Sequence, residues 1–591
     1  MTAHPEPGRA ARHMRFLLLI AGLGGLLYGI DVGIIAGALP YLEATSGLTS
    51  NQLSIIVAAV LLGSVVSTLF AGALADLLGR KPLMLLGGIC FVASIPVIAL
   101  AQGFGPLVLG RLLQGISAGL VGVAVPLYLA ESLDASNRGR GTGLFQWLLT
   151  LGIFAAALIA YGFSFKVHAL EQAGHPDTLF AFKDFAWRSI FWVSILPGLL
   201  FVVGVCFVKE SPRWLYQKGR VDQAREALLH TRSAEVAALE LGEMASSAHD
   251  GPKPAGARLK DSLLSRKYVL PFLLACIILA CNQATGVNNI IGYNATILIQ
   301  AGLSDNAAHL GYVLFTLVNF LMTLVAVILV DRKGRKFLLT VGSGGIIVAL
   351  VVTGFLFRRT EQHRVDVAPA LQAQVDANQS LAFRYDPATA DRLLAAMGQP
   401  AAQGAPSTLV VIYRYGEFRA ATKVVRSTDT LNEVAITRDS CVPRDRASAI
   451  AARLTHPTAD IEAARVAPLQ VEAALVTPVP SAAHGWAIAL CTFVFIAFFA
   501  MGPGVCVWLA LSELMPTRIR SNGMSIALLI NQAVSTTIAA VFLPVVGRHG
   551  YGTLFFIFAG CTVVYFITAA FFLPETKGRT LEEIEAHFDR A

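Results

Sequence analysis

The sequence predicts an all-α membrane protein of twelve transmembrane helices in two pseudo-symmetric six-helix halves, with a small α+β external domain as one reading of its longest polar segment. Three observations carry this. The chain of 591 residues is 55% hydrophobic and 14% charged, and its apolar residues fall in runs that reach the roughly 20 residues needed to cross a hydrocarbon core. A charged phrase occurs twice, as Asp76-Leu77-Leu78-Gly79-Arg80-Lys81 and Asp331-Arg332-Lys333-Gly334-Arg335-Lys336, each time between two apolar runs, which is the mark of a doubled helical bundle. Lys and Arg gather on one side of the expected membrane, whereas the short loops on the other carry only Lys166, Lys183 and Arg548.

Spans 1 to 6 are expected at 16–42, 52–75, 83–102, 107–132, 142–164 and 188–208. Spans 7 to 12 are expected at 268–299, 309–330, 338–357, 486–512, 522–546 and 552–573. The first run is too long for a signal-peptide core and no small-residue cleavage site follows it, so it reads as a retained helix. The basic side is the cytoplasmic one, which predicts a multi-pass protein of the cell inner membrane with both termini inside. The resulting organisation is a bundle at 1–208, a cytoplasmic linker with short helices at 209–267, spans 7 to 9 at 268–357, an external insert at 358–485, spans 10 to 12 at 486–573 and a cytoplasmic tail at 574–591.

The insert is located by the repeat itself. Arg80 and Arg335 lie 255 positions apart, while the next matched pair, Glu131 with Arg138 and Glu513 with Arg520, lies 382 positions apart. The difference of 127 falls between spans 9 and 10. A third pair, Glu210-Ser211-Pro212-Arg213 and Glu575-Thr576-Lys577-Gly578-Arg579, is offset by 365, which places 17 extra residues of the first half in the loop expected at 165–187. Within the insert, Thr408 to Tyr415 reads as a strand with Ala420 to Val425 as its partner, and 387–397 and 443–454 read as short helices. An unstructured Ala- and Pro-rich loop is the competing reading.

The net charge of +8 is explained by this topology, so it signals no nucleic-acid partner. Seven of the eight cysteines fall in apolar spans and act as small hydrophobes, and a lone external Cys441 offers neither an intramolecular disulfide nor a metal cluster. No nucleophile–base set or metal-ligand spacing occurs within the spans, so no enzyme activity, prosthetic group or metal is expected.

Two charges lie deep within spans, Asp31 in span 1 and Arg111 in span 4. An ionisable group at that depth is costly and points to function with a partner. A buried pair that only pins two helices is the alternative. A carboxylate that loses its cation takes up a proton, while one held by Arg stays ionised, so a pair that separates as two halves rock could load and release a proton. Asp76, Arg80, Glu131 and Arg138, with their counterparts Asp331, Arg335, Glu513 and Arg520, sit at the inner helix ends. Basic residues there are expected from topology alone. The matched carboxylates suggest a cytoplasmic clamp, which must be a network because exposed pairs are individually weak.

Gly24-Gly25-Leu26-Leu27-Tyr28-Gly29-Ile30-Asp31, Gly110-Arg111, Glu210-Ser211-Pro212-Arg213-Trp214-Leu215 and Pro574-Glu575-Thr576-Lys577-Gly578 stand in this order. Together with the doubled phrase they resemble the sugar porter branch of the major facilitator superfamily, over both halves but not the insert. Spans 1 and 5 look most like the bacterial arabinose and galactose proton symporters. The resemblance implies the major facilitator fold and alternating access, with a proton as the only coupling species. It also associates an Asp at the Asp31 position with proton-coupled members. Through the repeat, Asp31 maps to Gly286 and Arg111 to Phe493, so the second half lacks both charges.

A sugar presents hydroxyls that donate and accept, which amides match, and an apolar ring face, which an indole matches. Gln146, Asn282, Gln283, Asn288, Asn289, Trp508 and Asn531 lie where the spans are expected to face a central cavity; helix-to-helix glue is the bland alternative for each. The resemblance assigns sugar contact to Gln146, Gln283, Asn288, Trp508 and Asn531, and makes Tyr28 and Tyr293 aromatic gates. Ile153, Asn282, Gly292 and Gln532 depart from the family pattern. Breakers at Gly286-Val287-Asn288 and Gly502-Pro503-Gly504 are expected to unwind spans 7 and 10 beside the site.

These readings predict a proton-coupled symporter for a hexose or pentose, working as a monomer in the lipid bilayer, with the partner of the insert unknown. A proton-independent facilitator and a sugar sensor acting through the insert are the alternatives. A drug–proton antiporter is disfavoured, because amides suit a polyhydroxylated ligand better than a lipophilic cation.

Overall fold

The structure is a computed structural model and describes residues 7–133, 135–230, 232, 234–249, 266–400, 404–443, 459–506, 514–515, 520–576 and 588. All twelve spans are present. Span 1 is Pro7–Thr45, span 2 Ser50–Leu78, span 3 Arg80–Ala99, span 4 Phe104–Ser132 and span 5 Ala135–Ala173. Span 6 is Pro176–Val193 continued as Ile195–Cys206. Span 7 runs from Arg266–Ala284 through Val287–Gly292 to Asn294–Gln300. Span 8 is Asp305–Lys333, span 9 Arg335–Glu361 and span 10 Ala482–Phe499, which passes into a π-helical turn at Ala500–Gly504. Spans 11 and 12 form the continuous stretch Arg520–Ile567, divided at Gly550, whose φ of 82° breaks the helix.

Both expected break points are real. Gly286 adopts φ 81° and separates the two arms of span 7, and a Cβ there would collide with the ring of Phe558. In span 10 the Gly502-Pro503-Gly504 sequence produces the π turn, because Pro503 removes a backbone donor.

Close approach of small residues brings spans together where lipid offers no hydrophobic drive. Gly29 on span 1 and Gly152 on span 5 face each other, and a Cβ on either would meet the other helix's backbone. Spans 2 and 4 pack within the first half, and spans 7 and 9 pack on the span 11–12 segment within the second. Between halves, span 2 packs on the span 11–12 segment and span 5 on span 8.

The segment at 165–187 is not a loop. Span 5 continues helically to Ala173, Gly174 turns with φ 70°, and span 6 opens at Pro176. The hairpin is tied by Lys183 to Glu171 at 2.9 Å, and Lys166 lies over the Phe182 ring. Glycine after one helix and proline at the start of the next make a two-helix corner. The 17 extra residues therefore extend two helices instead of forming a coil.

The insert is a folded α+β domain with its own apolar core, including Leu371, Tyr385, Leu393, Val411, Tyr413 and Val476. Its strands are β1 Val365–Asp366, β2 Leu381–Arg384, β3 Ser407–Tyr415, β4 Phe418–Ala421, β5 Val425–Arg426, β6 Glu433–Ile436 and β7 Leu469–Pro478. The main antiparallel sheet runs β1-β7-β3-β4, with β5 also on β3, while β2 and β6 pair separately. The expected strand at 408–415 and helix at 387–397 are present, the latter as Pro387–Ala396. The predicted partner at 420–425 is split between β4 and β5. The helix expected at 443–454 lies outside the described residues apart from Pro443 at its edge. The insert sits at one end of the spans, here the insert face; the start of span 1, the end of span 12 and the described linker helices at 212–249 occupy the opposite, terminal face.

Candidate functional site

The break in span 7 determines where its amides go. Gln283 ends the first arm and Asn288 begins the second, so the two side chains meet across the kink: Asn288 Nδ2 donates to Gln283 Oε1 at 2.9 Å. Asn288 Nδ2 also donates to Ser535 Oγ on span 11 at 2.8 Å, and Gln283 Nε2 donates to Asn531 Oδ1 at 3.2 Å. Asn531 is anchored by donation from Nδ2 to the Leu279 carbonyl at 2.9 Å. Four polar side chains from spans 7 and 11 thus form one chain that still holds spare donors and acceptors, the inventory a polyhydroxylated ligand needs.

Gln146 on span 5 is half-buried and makes no side-chain hydrogen bond among the described residues. Beside it, Trp147 stacks on Phe320 of span 8 with centroids 5.1 Å apart, and its Nε1 is buried without a partner. Asn282 differs from the other amides. It is buried and donates from Nδ2 to the Pro503 carbonyl at 3.4 Å, bonding the break of span 7 to the π turn of span 10. The departures have structural counterparts as well. Ile153 packs on Gly33 of span 1, and a Cβ at Gly292 would lie within van der Waals contact of Val57 and Ile35 in the first half. Trp508 lies outside the described residues.

Asp31 and Arg111 are both buried, at 1% and 2% exposure, and are electrostatically coupled. They do not form a direct ion pair. Arg111 instead donates from Nη1 to Gln114 Oε1 at 2.6 Å, one turn along span 4, and lies 5.9 Å from the Phe191 ring centre. Asp31 Oδ1 and Arg111 Nε are buried without hydrogen-bond partners. Two opposite charges held near but apart form a strained arrangement in a low-dielectric setting.

Tyr28 is half-buried next to Gln532 of span 11. Tyr293 is fully buried and stacks on Phe542 with centroids 4.3 Å apart. Near it, on the insert face, the halves are joined by Tyr41 Oη donating to Asp305 Oδ2 (3.0 Å), Asn306 Nδ2 to Ser164 Oγ (3.0 Å) and Tyr312 Oη to the Gly33 carbonyl (2.9 Å). Among the described residues, the polar contacts between the halves lie from the midplane to the insert face. The insert-face side of the cavity is shut.

On the terminal face, Arg80 binds Asp76 at 3.0 Å and Glu131 at 2.8 Å, and Glu131 also takes the Ser211 hydroxyl. Gly79 (φ 107°) packs so closely on Glu210 that a Cβ would strike its carboxylate, which accepts the Arg80 and Lys81 amides at 3.0 and 3.2 Å. Burial pushes the Glu210 carboxyl up, against the pull of those amides. The second half repeats the device: Gly334 (φ 88°) packs on Glu575, which accepts the Arg335 amide at 3.0 Å. These contacts lie within one half and bind its helices to one another. Glu513 lies outside the described residues, and Arg138, Asp331 and Arg520 are placed on their helices with side chains outside the description.

Gln114, Ser535 and Trp147 are the site neighbours that sequence reading missed. Gln114 stands three residues after Arg111 and Ser535 four after Asn531, spacings that share a helix face and could have found them. Trp147 carried no such spacing signal.

Two six-helix halves around a polar midplane site, one side shut, define a membrane carrier. The family described as "Sugar (and other) transporter" matches residues 17–371 and 466–588, and the chain belongs to that family. The unmatched stretch lies within the insert. The chain is similar to the galactose-proton symporter of Escherichia coli strain K12, at 27% identity over 584 residues covering 98% of this chain and 96% of that one. It is also similar to the human proton myo-inositol cotransporter, at 28% identity over 582 residues covering 97% and 81%. In fold it matches the inward-open structure of the E. coli xylose transporter, with a TM-score of 0.63 at 20% identity over 96% of this chain and 98% of that one. Fold and family are those of sugar transporters, not of enzymes.

Proposed function

We propose that the protein is a proton-coupled symporter that imports a monosaccharide, hexose or pentose, by alternating access. Asp31 carries the proton, and the chain of Gln283, Asn288, Asn531 and Ser535, with Gln146 and Trp508, holds the sugar. The observation that carries the reading is the separation of Asp31 from Arg111: both are buried, yet Arg111 is bonded to Gln114. A carboxylate whose cation is engaged elsewhere favours the protonated form, and one that recovers the cation favours release. Movement of span 4 against span 1 as the halves rock would switch between the two. The named activities of the galactose and myo-inositol relatives favour the same coupling.

The placement of basic residues supports an orientation with the terminal face in the cytoplasm and the insert outside. No cofactor takes part, and the monomer is the working unit. The test is uptake of hexoses, pentoses and inositol into proteoliposomes with and without an imposed proton gradient. At least one sugar should accumulate only with the gradient. Equilibration of every sugar regardless of the gradient would make the protein a facilitator, and binding without flux would make it a sensor.

A further inference from the structure

The insert touches both halves. It is tethered to the second half by spans 9 and 10 and packs on that half through β7 against span 9 and through β3 and β4 against the span 11–12 segment. Arg426 Nη2 adds a bond to the Ile299 carbonyl at the end of span 7, 2.6 Å away. Toward the first half, contact is made by the start of span 2. Ser50 Oγ donates to the Thr422 carbonyl at 3.1 Å and Asn51 Nδ2 donates to the Arg419 carbonyl at 3.2 Å. The Arg419 carbonyl is free for this because β4 is the edge of its sheet, paired on one side only, and Thr422 follows directly where that strand ends. Half-buried Lys423 lies within electrostatic reach of Glu43 on span 1, and burial holds its ammonium pKa down while that carboxylate raises it.

These contacts cross the same seam as the bonds from Tyr41, Asn306 and Tyr312. A cavity of about 80 Å³ lies under it, walled by Glu43 and Ser50 of the first half, Thr296 of span 7, and Thr422 and Val424 of the insert. At this cavity the two sides are joined by hydrogen bonds and not by close packing.

We infer that the insert is a latch on the insert-face gate, with β4 and the residues after it riding on the second half and gripping the first turn of span 2 while the gate is shut. The inference rests on the alternating-access reading above. Opening toward the insert face carries span 2 away from the second half, so Ser50 and Asn51 must leave their carbonyls. The grip acts through backbone acceptors, so its strength depends on the two donors and on the fold of the edge strand.

The test reads gate opening without sugar or gradient. Val57 on span 2, which borders Gly292 at the seam, is changed to Cys in a chain whose native cysteines are replaced. Labelling by a membrane-impermeant maleimide is then followed in intact cells. Removing two hydrogen bonds, as in Ser50→Ala with Asn51→Ala, is expected to raise the labelling rate about tenfold. Thr49 remains to cap span 2 in that variant. In a second chain, with Asn51→Cys and Arg419→Cys added to Val57→Cys, closure by a short bis-thiosulfonate, which forms a mixed disulfide with each of the two thiols and expels sulfinate, is expected to abolish labelling, and reductant to restore it. An unchanged rate in the alanine variant, or labelling that persists after closure, overturns the latch. Either result leaves the symport reading intact, because failure of that reading appears only as a lack of gradient-driven accumulation.

Discussion

On the symport proposal, a single carboxylate, Asp31, decides whether this carrier uses a gradient. Asp31 has no counterpart in the second half, where the repeat places Gly286. Asp31→Asn mimics the protonated state permanently and is expected to abolish accumulation while leaving sugar exchange across the membrane. Counterflow measured in the absence of a gradient separates the two; loss of both would assign Asp31 to structure. Asn288 bridges Gln283 and Ser535. Asn288→Ala removes those bonds and one sugar contact, which at about 1–2 kcal/mol predicts roughly a tenfold weaker apparent affinity in uptake kinetics. An unchanged affinity would mean that the amide chain only joins helices. Asp31, Arg111 and most of these amides were legible in the sequence because polar side chains within apolar spans are rare. Their bonding was less so: the three-residue spacing makes Gln114 a neighbour of Arg111, but nothing in the residue pattern showed that Asn282 bonds span 10. The Asn282 contact depends on where spans 7 and 10 break.

At the scale of elements, the doubled phrase explains its own glycine. Gly79 and Gly334 turn the chain with positive φ and lie against Glu210 and Glu575, which cap the next helix. Gly79→Ala meets both a left-handed backbone cost of about 1–2 kcal/mol and the Glu210 carboxylate. It should lower the thermal midpoint of the detergent-solubilised protein by several degrees, whereas Gly72→Ala, where a Cβ meets nothing within 4 Å, should not. Equal midpoints for the two would contradict the capping role. The twelve spans were legible because each is an apolar run of membrane length. The 165–187 hairpin was misread because charged helix extensions look like loop in a hydropathy profile. In the insert, β3 was visible as a β-branched apolar run. The central strand β7, Leu469–Pro478, was not, since its Ala-Ala centre carries little strand signal and its place is set by pairing with β1 and β3.

The whole molecule is two bundles hinged around a polar midplane, closed on the insert face and bonded there by side chains from both halves. The family pattern covers the bundles and passes over residues 372–465, so the insert adds to a carrier that is otherwise complete. In the proposed cycle the bundles rock against each other, the first half contributes the charge pair and the second most of the amides. Symport requires that these parts be coupled, so that sugar and proton cross together. The most direct measurement is the steady-state accumulation ratio of a transported sugar in proteoliposomes as a function of the imposed proton gradient. The account predicts a ratio that rises with the gradient in the native protein and stays at one in Asp31→Asn. A native ratio fixed at one across all gradients would contradict it.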